Sequence, residues 1–145
     1  MVHDTETTAT RVAKMAVSRI YTNPAVENCI IYGNMRAVQA NARSVTIRQC
    51  TCYSDLCTLG IVASSASTVD NTYVGGYVTE DFWTGSTPPT GDYNMSEDTS
   101  ATVDFVNGIG SKLATNQFVD ASVGATADFT VKAGADVIAF APRLA

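Results

Sequence analysis

Three segments of this chain align without gaps: VENCIIY at residues 26–32, IRQCTCY at residues 47–53 and VDNTYVG at residues 69–75. The copies begin at Val26, Ile47 and Val69, which gives a period of about 21–22 residues. A repeat of this length is typical of a solenoid, in which each repeat is one coil that buries its apolar face against its neighbours. The repeat therefore predicts a stack of coils.

The residue types within each copy indicate that the coils are built from β-strands. Apolar residues occur in short β-branched and aromatic runs, and no copy has the i, i+3, i+4, i+7 spacing of an amphipathic helix. In a parallel stack, equivalent residues of successive coils lie about 4.8 Å apart. Asn28, Gln49 and Asn71 are equivalent, so we predict a structural ladder in which each side-chain amide donates to the next carbonyl oxygen.

Charged residues also fall into one column of the repeat. Glu27, Arg48 and Asp70 are equivalent, which predicts an ion-paired ladder on the outer face of the stack. Such exposed pairs contribute about 0.2 to 1 kcal/mol each. An acid, a base and an acid on successive coils do not resemble the paired carboxylates of a glycosidase.

Composition restricts the class of protein. The 145 residues suffice for one domain, and 46% apolar with 16% charged residues indicates a folded chain. The net charge of -5 and the scattered basic residues argue against a nucleic-acid partner, which requires clusters of Lys and Arg. No apolar stretch reaches the roughly 20 residues that span a bilayer, and residues 1–10 are polar, so we expect neither a membrane segment nor a secretion signal.

The cysteines allow three interpretations. Cys50, Cys52 and Cys57 are close in sequence, but zinc takes four ligands and the only histidine, His3, lies in the polar N-terminal stretch, so we predict no metal. Cys29 and Cys50 are equivalent, and their Cα atoms come within disulfide range. A chain expected in the cytosol keeps its thiols reduced, and packing in the core is the interpretation we favour.

We divide the chain into an N-terminal arm at residues 1–13 and a single domain at residues 14–145. Strands are expected in the best-supported coils, at about 25–76, and at Met15–Ile20. Residues 77–100 are predicted to leave the stack as a loop rich in turn formers, because proline cannot donate to a strand ladder. Residues 101–145 are predicted to form an irregular final coil and cap. Strands are expected there at Thr102–Val106, Phe118–Val119, Asp128–Lys132 and Val137–Phe140.

The segment NCIIYGN at residues 28–34 resembles a coil of the right-handed parallel β-helix superfamily. DFTVKAG at residues 128–134 is similar to a sequence motif that often ends the last coils in that superfamily. The resemblance covers roughly residues 26–138 and implies an all-β fold, a short right-handed parallel β-helix. With a period of about 21–22 residues, the chain has room for about three to five such coils. The superfamily's enzymes stack more coils than this chain holds, and Ala135-Asp136 stands where the closing motif tends to have Ser-Pro.

One cluster is a candidate for contact with a partner or a glycan: Tyr77, Glu80, Asp81, Phe82 and Trp83. We predict neither catalytic residues nor a cofactor. By analogy with short trimeric β-helices of bacteriophages, we expect a non-enzymatic virion structural protein, most simply a homotrimeric capsid cement or decoration protein that binds a viral capsid protein. The alternative is a carbohydrate-binding or polysaccharide-cleaving module, such as a fragment of a tailspike or lyase.

Overall fold

The computed structural model describes residues 2–3, 15–17, 25–33, 36–40, 44–55, 58–83, 85, 87–121 and 127–136. Within these residues the structure is all-β, as predicted, with short strands and two short helices. Most strands are arranged in three parallel sheets, which we name A, B and C.

Each sheet is a row of short parallel strands. Sheet A contains β1 (Val2–His3), β4 (Ile30–Tyr32), β7 (Thr51–Tyr53), β10 (Tyr73–Gly75) and β12 (Met95–Ser96). Sheet B contains β2 (Met15–Val17), β5 (Arg36–Ala40), β8 (Leu59–Ala63) and β11 (Glu80–Trp83). Sheet C contains β3 (Ala25–Glu27), β6 (Thr46–Arg48) and β9 (Thr68–Asp70).

The pairing of strands follows the sequence repeat. In sheet A, Ile31 pairs with Cys52, and Cys52 pairs with Val74. In sheet C, Glu27 pairs with Arg48, and Arg48 pairs with Asp70. Equivalent residues of successive repeats are therefore neighbours, as the period of the sequence predicts.

The turn between sheet C and sheet A has the same backbone conformation in each repeat. Asn28, Gln49 and Asn71 have φ angles of 54°, 53° and 49°, and Tyr93 follows with 53°. Asparagine enters this left-handed region more readily than most residues, because its short polar side chain is compatible with the tight turn. The backbone N–H of Asn28 donates to the carbonyl of Arg48, which links this turn to the next repeat.

The main hydrophobic core draws buried side chains from all three sheets. Ile31 of sheet A, Ile61 of sheet B and Val69 of sheet C belong to one buried cluster. The cluster also contains the buried cysteines Cys50 and Cys52, which are free thiols, so these residues act as small apolar side chains. Cys57 lies outside the described residues.

A second core forms where the C-terminal part of the chain packs against sheet A. It includes the helix at Ala114–Gln117, which we name α2, and the antiparallel strands β13 (Phe118–Asp120) and β14 (Asp128–Val131). The ring of Phe129 lies 5.4 Å from that of Tyr32, and the ring of Phe118 lies 5.0 Å from that of Tyr73. These contacts cover three buried tyrosines of sheet A: Tyr32 on β4, Tyr53 on β7 and Tyr73 on β10.

The predicted loop at residues 77–100 is mostly wrong. Glu80–Trp83 is strand β11, whose Phe82 pairs with Ile61 in sheet B. Thr90 bridges Thr68, and β12 continues sheet A beside β10, so strand pairing is present again from Thr90 onward. The strand persists because Phe82 is fully buried in the main core.

The predicted strand at Thr102–Val106 is also wrong, because this region begins as a helix, α1 (Ser100–Asp104). Side chains satisfy backbone N–H groups of its first turn: the Asp98 carboxylate accepts from Ser100 at 2.8 Å, and the Ser96 hydroxyl accepts from Ala101 at 3.1 Å. The expected strands around Phe118 and Asp128 are present as β13 and β14.

Several predicted features lie partly or wholly outside the described residues, among them the end of the predicted strand Met15–Ile20, of which Met15–Val17 is strand β2. Of the N-terminal arm, Val2 and His3 pair with Ile31 and Tyr32 in sheet A, whereas residues 4–13 are outside the description. The expected strand at Val137–Phe140 is outside it entirely.

Candidate functional site

The cluster predicted for partner or glycan contact divides into buried and exposed parts. Tyr77, Asp81 and Phe82 are buried, Glu80 is partly buried, and Trp83 is 40% exposed. Strand β11 explains the difference between Phe82 and Trp83, since neighbouring residues of a strand point to opposite faces and Phe82 enters the core. The five side chains therefore do not form one exposed aromatic platform.

Asp81 is held in place by backbone N–H groups from two segments. Its Oδ1 atom accepts from Tyr77 at 3.2 Å, and its Oδ2 atom accepts from Glu97 at 2.8 Å and from Asp98 at 3.0 Å. Burial raises the pKa of this carboxyl from 3.8 to about 7, and the neighbouring Asp98 raises it as well, while the hydrogen bonds oppose the shift. Asp81 thus ties β11 to the segment that precedes α1.

Asp98 and Ser100 complete this polar junction. One Asp98 oxygen accepts from the Asp81 backbone N–H at 2.9 Å, and the other accepts from Ser100. The Ser100 hydroxyl in turn accepts from the backbone N–H of Phe82 at 3.1 Å. The carboxylates of Asp81 and Asp98 therefore serve as acceptors for backbone N–H groups.

An aromatic pair closes the main core at the α1 end. The ring of Phe105 lies 5.1 Å from that of Phe82 at an angle of 70°, an edge-to-face contact. Both rings belong to the buried core, and α1 packs on β11 and β12, the last strands of sheets B and A. Phe105 and α1 therefore cover the end of the stacked strands.

Three valines on or close in sequence to β11 and α1 are exposed, and we call them the end surface: Val78, Val103 and Val106. Their exposed fractions are 73%, 77% and 71%. Val78 shortly precedes β11, Val103 is on α1, and Val106 forms an isolated bridge with Asp92 beyond the last strand of sheet C. Exposed apolar side chains that share one end of a domain are candidates for a protein contact.

The column that contains Asn28, Gln49 and Asn71 lies in register as predicted. Within the described part of the chain, however, the buried Oδ1 atom of Asn71 has no hydrogen-bond partner, so this oxygen takes no part in an amide ladder. The shared feature of the column is its positive φ angle.

A hydrogen-bonded column does exist one residue further along the chain. The Cys50 backbone N–H donates to the Thr72 hydroxyl at 3.5 Å, and the Thr72 N–H donates to the Asn94 side-chain oxygen at 3.1 Å. The side-chain NH₂ group of Asn94 donates back to the carbonyl of Val69 at 2.6 Å. The period of the repeat relates Cys50 to Thr72 and Thr72 to Asn94, but these three residue types differ, so sequence reasoning did not predict the hydrogen bonds of this column.

The predicted ion-paired column is confirmed on the outer face of sheet C. The Arg48 guanidinium lies 3.3 Å from the Asp70 carboxylate and 3.9 Å from that of Glu27. The Asp70 carboxylate also accepts the backbone N–H of Asp92 at 3.0 Å. Arg48 therefore forms ion pairs with both acids, and Asp70 also binds the backbone.

Metal-binding and membrane-spanning features are both absent from the described residues. No group of three or more His, Cys, Asp or Glu side chains among them is arranged to hold a metal ion. No helix in this part of the chain is long and apolar enough to cross a membrane.

Comparison of the chain with known proteins found no matching family model, no matching curated protein and no matching solved structure.

Proposed function

We propose that the three sheets are the faces of a short right-handed parallel β-helix with about three to five coils, each of about 21–22 residues. Three observations support this. Each parallel strand pairs with the equivalent strand of the next repeat, the register follows the sequence period, and one core receives side chains from all three sheets. In this proposal α1 and Phe105 form the cap at one end.

We further propose that the chain is a non-enzymatic structural protein of a virus particle, most simply a homotrimeric cement or decoration protein that binds a phage capsid. The end surface carries this proposal, because Val78, Val103 and Val106 present apolar area at the α1 end of the strands. A domain with a small core gains stability when it associates through such a surface. The step from this surface to a virus particle rests on analogy of fold.

The alternative is a module that binds or cleaves carbohydrate, and one observation favours it. Trp83 is 40% exposed, so part of an aromatic side chain is accessible to a ligand. The neighbouring acids weaken this alternative, because the Asp81 and Asp98 carboxylates accept hydrogen bonds from the backbone.

The oligomeric state is the first test of the proposed role as a homotrimeric structural protein. Light scattering on the purified protein is expected to give a mass near three times 15.3 kDa. Replacing Val103 and Val106 together by serine should lower the apparent mass, because both side chains lie on the end surface. Val119→Ser is the matched control, since Val119 is 53% exposed but lies on β13.

Cosedimentation with capsids of the phage that encodes the chain tests the capsid role. The wild-type protein should sediment with capsids, and the double serine variant should bind less. Two results together would contradict both the trimer and the decoration role: a monomeric mass by light scattering, and protein that stays in the supernatant when the capsids sediment.

Trp83→Ala distinguishes the two classes of function. In a decoration protein the substitution should lower thermal stability or weaken the oligomer, because part of the ring is buried. In a glycan-binding module it should leave stability almost unchanged and abolish binding on a glycan array. Loss of glycan binding with an unchanged melting temperature would favour the alternative.

A further inference from the structure

Cys29 and Cys50 occupy equivalent positions in neighbouring repeats. Ile30 pairs with Thr51, and the Thr51 backbone N–H donates to the Cys29 carbonyl at 2.9 Å. Neighbouring parallel strands lie about 4.8 Å apart, which is inside the Cα–Cα range of a disulfide, about 4.4 to 6.8 Å. The backbone therefore already brings the two cysteines to a separation that a disulfide can span.

The two thiols are held in the same way. The Cys29 thiol donates to the carbonyl of Glu27 at 3.2 Å, and the Cys50 thiol contacts the equivalent carbonyl of Arg48 at 3.2 Å. The Cys50 thiol also lies 3.3 Å from the carbonyl of Val26, in the preceding repeat. It therefore points toward the repeat that contains Cys29.

The two cysteines differ in accessibility, which gives them different chemical roles. Cys29 is partly exposed, whereas Cys50 is buried. Burial raises the pKa of the Cys50 thiol, and the charge of the adjacent Cys29 contributes in the same direction. An external reagent thus meets Cys29 first. The raised pKa keeps Cys50 protonated, so its attack on the modified Cys29 sulfur requires loss of that proton and relies on its position in the neighbouring repeat.

We propose that Cys29 and Cys50 form an oxidisable pair. A low-molecular-weight disulfide such as oxidised glutathione oxidises the two thiols to a disulfide bond that links successive repeats. This reaction does not depend on the proposed role in a virus particle.

The reaction proceeds in two thiol–disulfide exchanges. The Cys29 sulfur, after loss of its proton, attacks one sulfur of the reagent, which forms a mixed disulfide and releases one reagent thiol. The Cys50 sulfur loses its proton and attacks the Cys29 sulfur, which forms the internal bond and releases the second thiol. The two cysteines are oxidised, the reagent disulfide is reduced, and the two protons end on the two released thiols.

Oxidation of the folded full-length chain tests this proposal. After incubation with oxidised glutathione, intact mass should show the loss of two hydrogen atoms, and peptide mapping without reductant should link the Cys29 and Cys50 peptides. The melting temperature should rise by about 5 to 10 °C, because the cross-link removes entropy from the unfolded chain. Reduction with dithiothreitol should reverse both changes.

Serine variants provide the controls. Cys29→Ser should abolish the internal bond, and Cys57→Ser should leave it unchanged. Cys50→Ser should retain the fold, because Thr72 places a hydroxyl at the equivalent position and donates to the equivalent carbonyl at 3.0 Å. This variant should stop at a stable mixed disulfide on Cys29.

Two results would overturn the proposal. One is a wild-type protein that keeps glutathione on Cys29 without forming the internal bond. The other is a bond that involves Cys52 or Cys57, or one that forms only after the chain is unfolded in urea.

Discussion

Replacing Asp81 by asparagine should flatten the dependence of folding stability on pH between about pH 4 and pH 7. The Asp81 carboxyl has a pKa raised from 3.8 to about 7 in the folded protein, chiefly because it is buried. Between these two values the folded chain holds a proton that the unfolded chain has lost. Stability is therefore highest below the unfolded pKa and declines as the pH rises toward 7.

The size of this effect follows from linkage. Each pH unit across which the folded state holds one additional proton lowers the free energy of unfolding by about 1.4 kcal/mol. From pH 5 to pH 7 the wild-type protein should lose about 2 to 3 kcal/mol through Asp81. The pKa of Glu80 is also raised, chiefly by burial and then by the nearby charges of Asp104 and Asp98. The stability of the Asp81→Asn variant should therefore still decline with pH, but with a smaller slope.

The substitution should also have a cost that does not depend on pH. An asparagine oxygen can accept from the backbone N–H groups of Glu97 and Asp98, but its NH₂ group then faces the N–H of Tyr77. A buried donor left without an acceptor costs about 1 to 3 kcal/mol.

Urea unfolding at a series of pH values from 5 to 8 measures both effects. The wild-type curve should fall with pH, and the Asp81→Asn curve should be flatter and lower at pH 5. Asp55→Asn is the control, since Asp55 is an exposed carboxyl whose removal should leave the slope intact. Parallel slopes for the wild-type protein and Asp81→Asn would refute the assignment of the pH dependence to this buried acid.

Two further predictions concern the turn and the cap. Asn71→Gly should be tolerated and Asn71→Val should cost about 1 to 3 kcal/mol in urea unfolding, because Asn71 has a φ of 49° that β-branched residues rarely adopt; equal stability of the two variants would contradict the role given to this turn. Phe82→Ala should cost about 3 to 5 kcal/mol, because it empties a fully buried site and removes the ring that contacts Phe105. Val103→Ala should change stability by less than about 0.5 kcal/mol under monomeric conditions, because Val103 is 77% exposed; a similar loss in both variants would mean that the cap is not specifically packed.

The parts of the fold that repeat could be predicted from the sequence. The spacing between equivalent residues indicates which strands are neighbours, and it correctly places Glu27, Arg48 and Asp70 in one ion-paired column. This is possible because parallel strands in register place like positions side by side, so each column of the alignment is also a column in space.

The candidate site is less predictable because its residues depend on contacts outside the repeat. The turn formers after Trp83 suggest that the preceding residues also leave the sheet, but Phe82 enters the main core and meets Phe105. Asp81 belongs to the cluster predicted for partner or glycan contact, yet its carboxylate accepts from the backbone of Glu97, which follows it by 16 residues. Local composition contains no sign of either contact.

The sequence by itself determined the β-strand character, the period and the register, since these depend on side-chain patterns repeated along the chain. Tertiary structure decided the rest: the hydrogen bonds that the Asp81 carboxylate accepts from the segment before α1, the contact between Phe82 and Phe105, and the aromatic layer in which Phe129 contacts Tyr32. The physical reason is that these features each occur through contacts between segments that are unlike in sequence and distant along the chain. Their stabilities come from burial and hydrogen bonds that exist only once those segments have met.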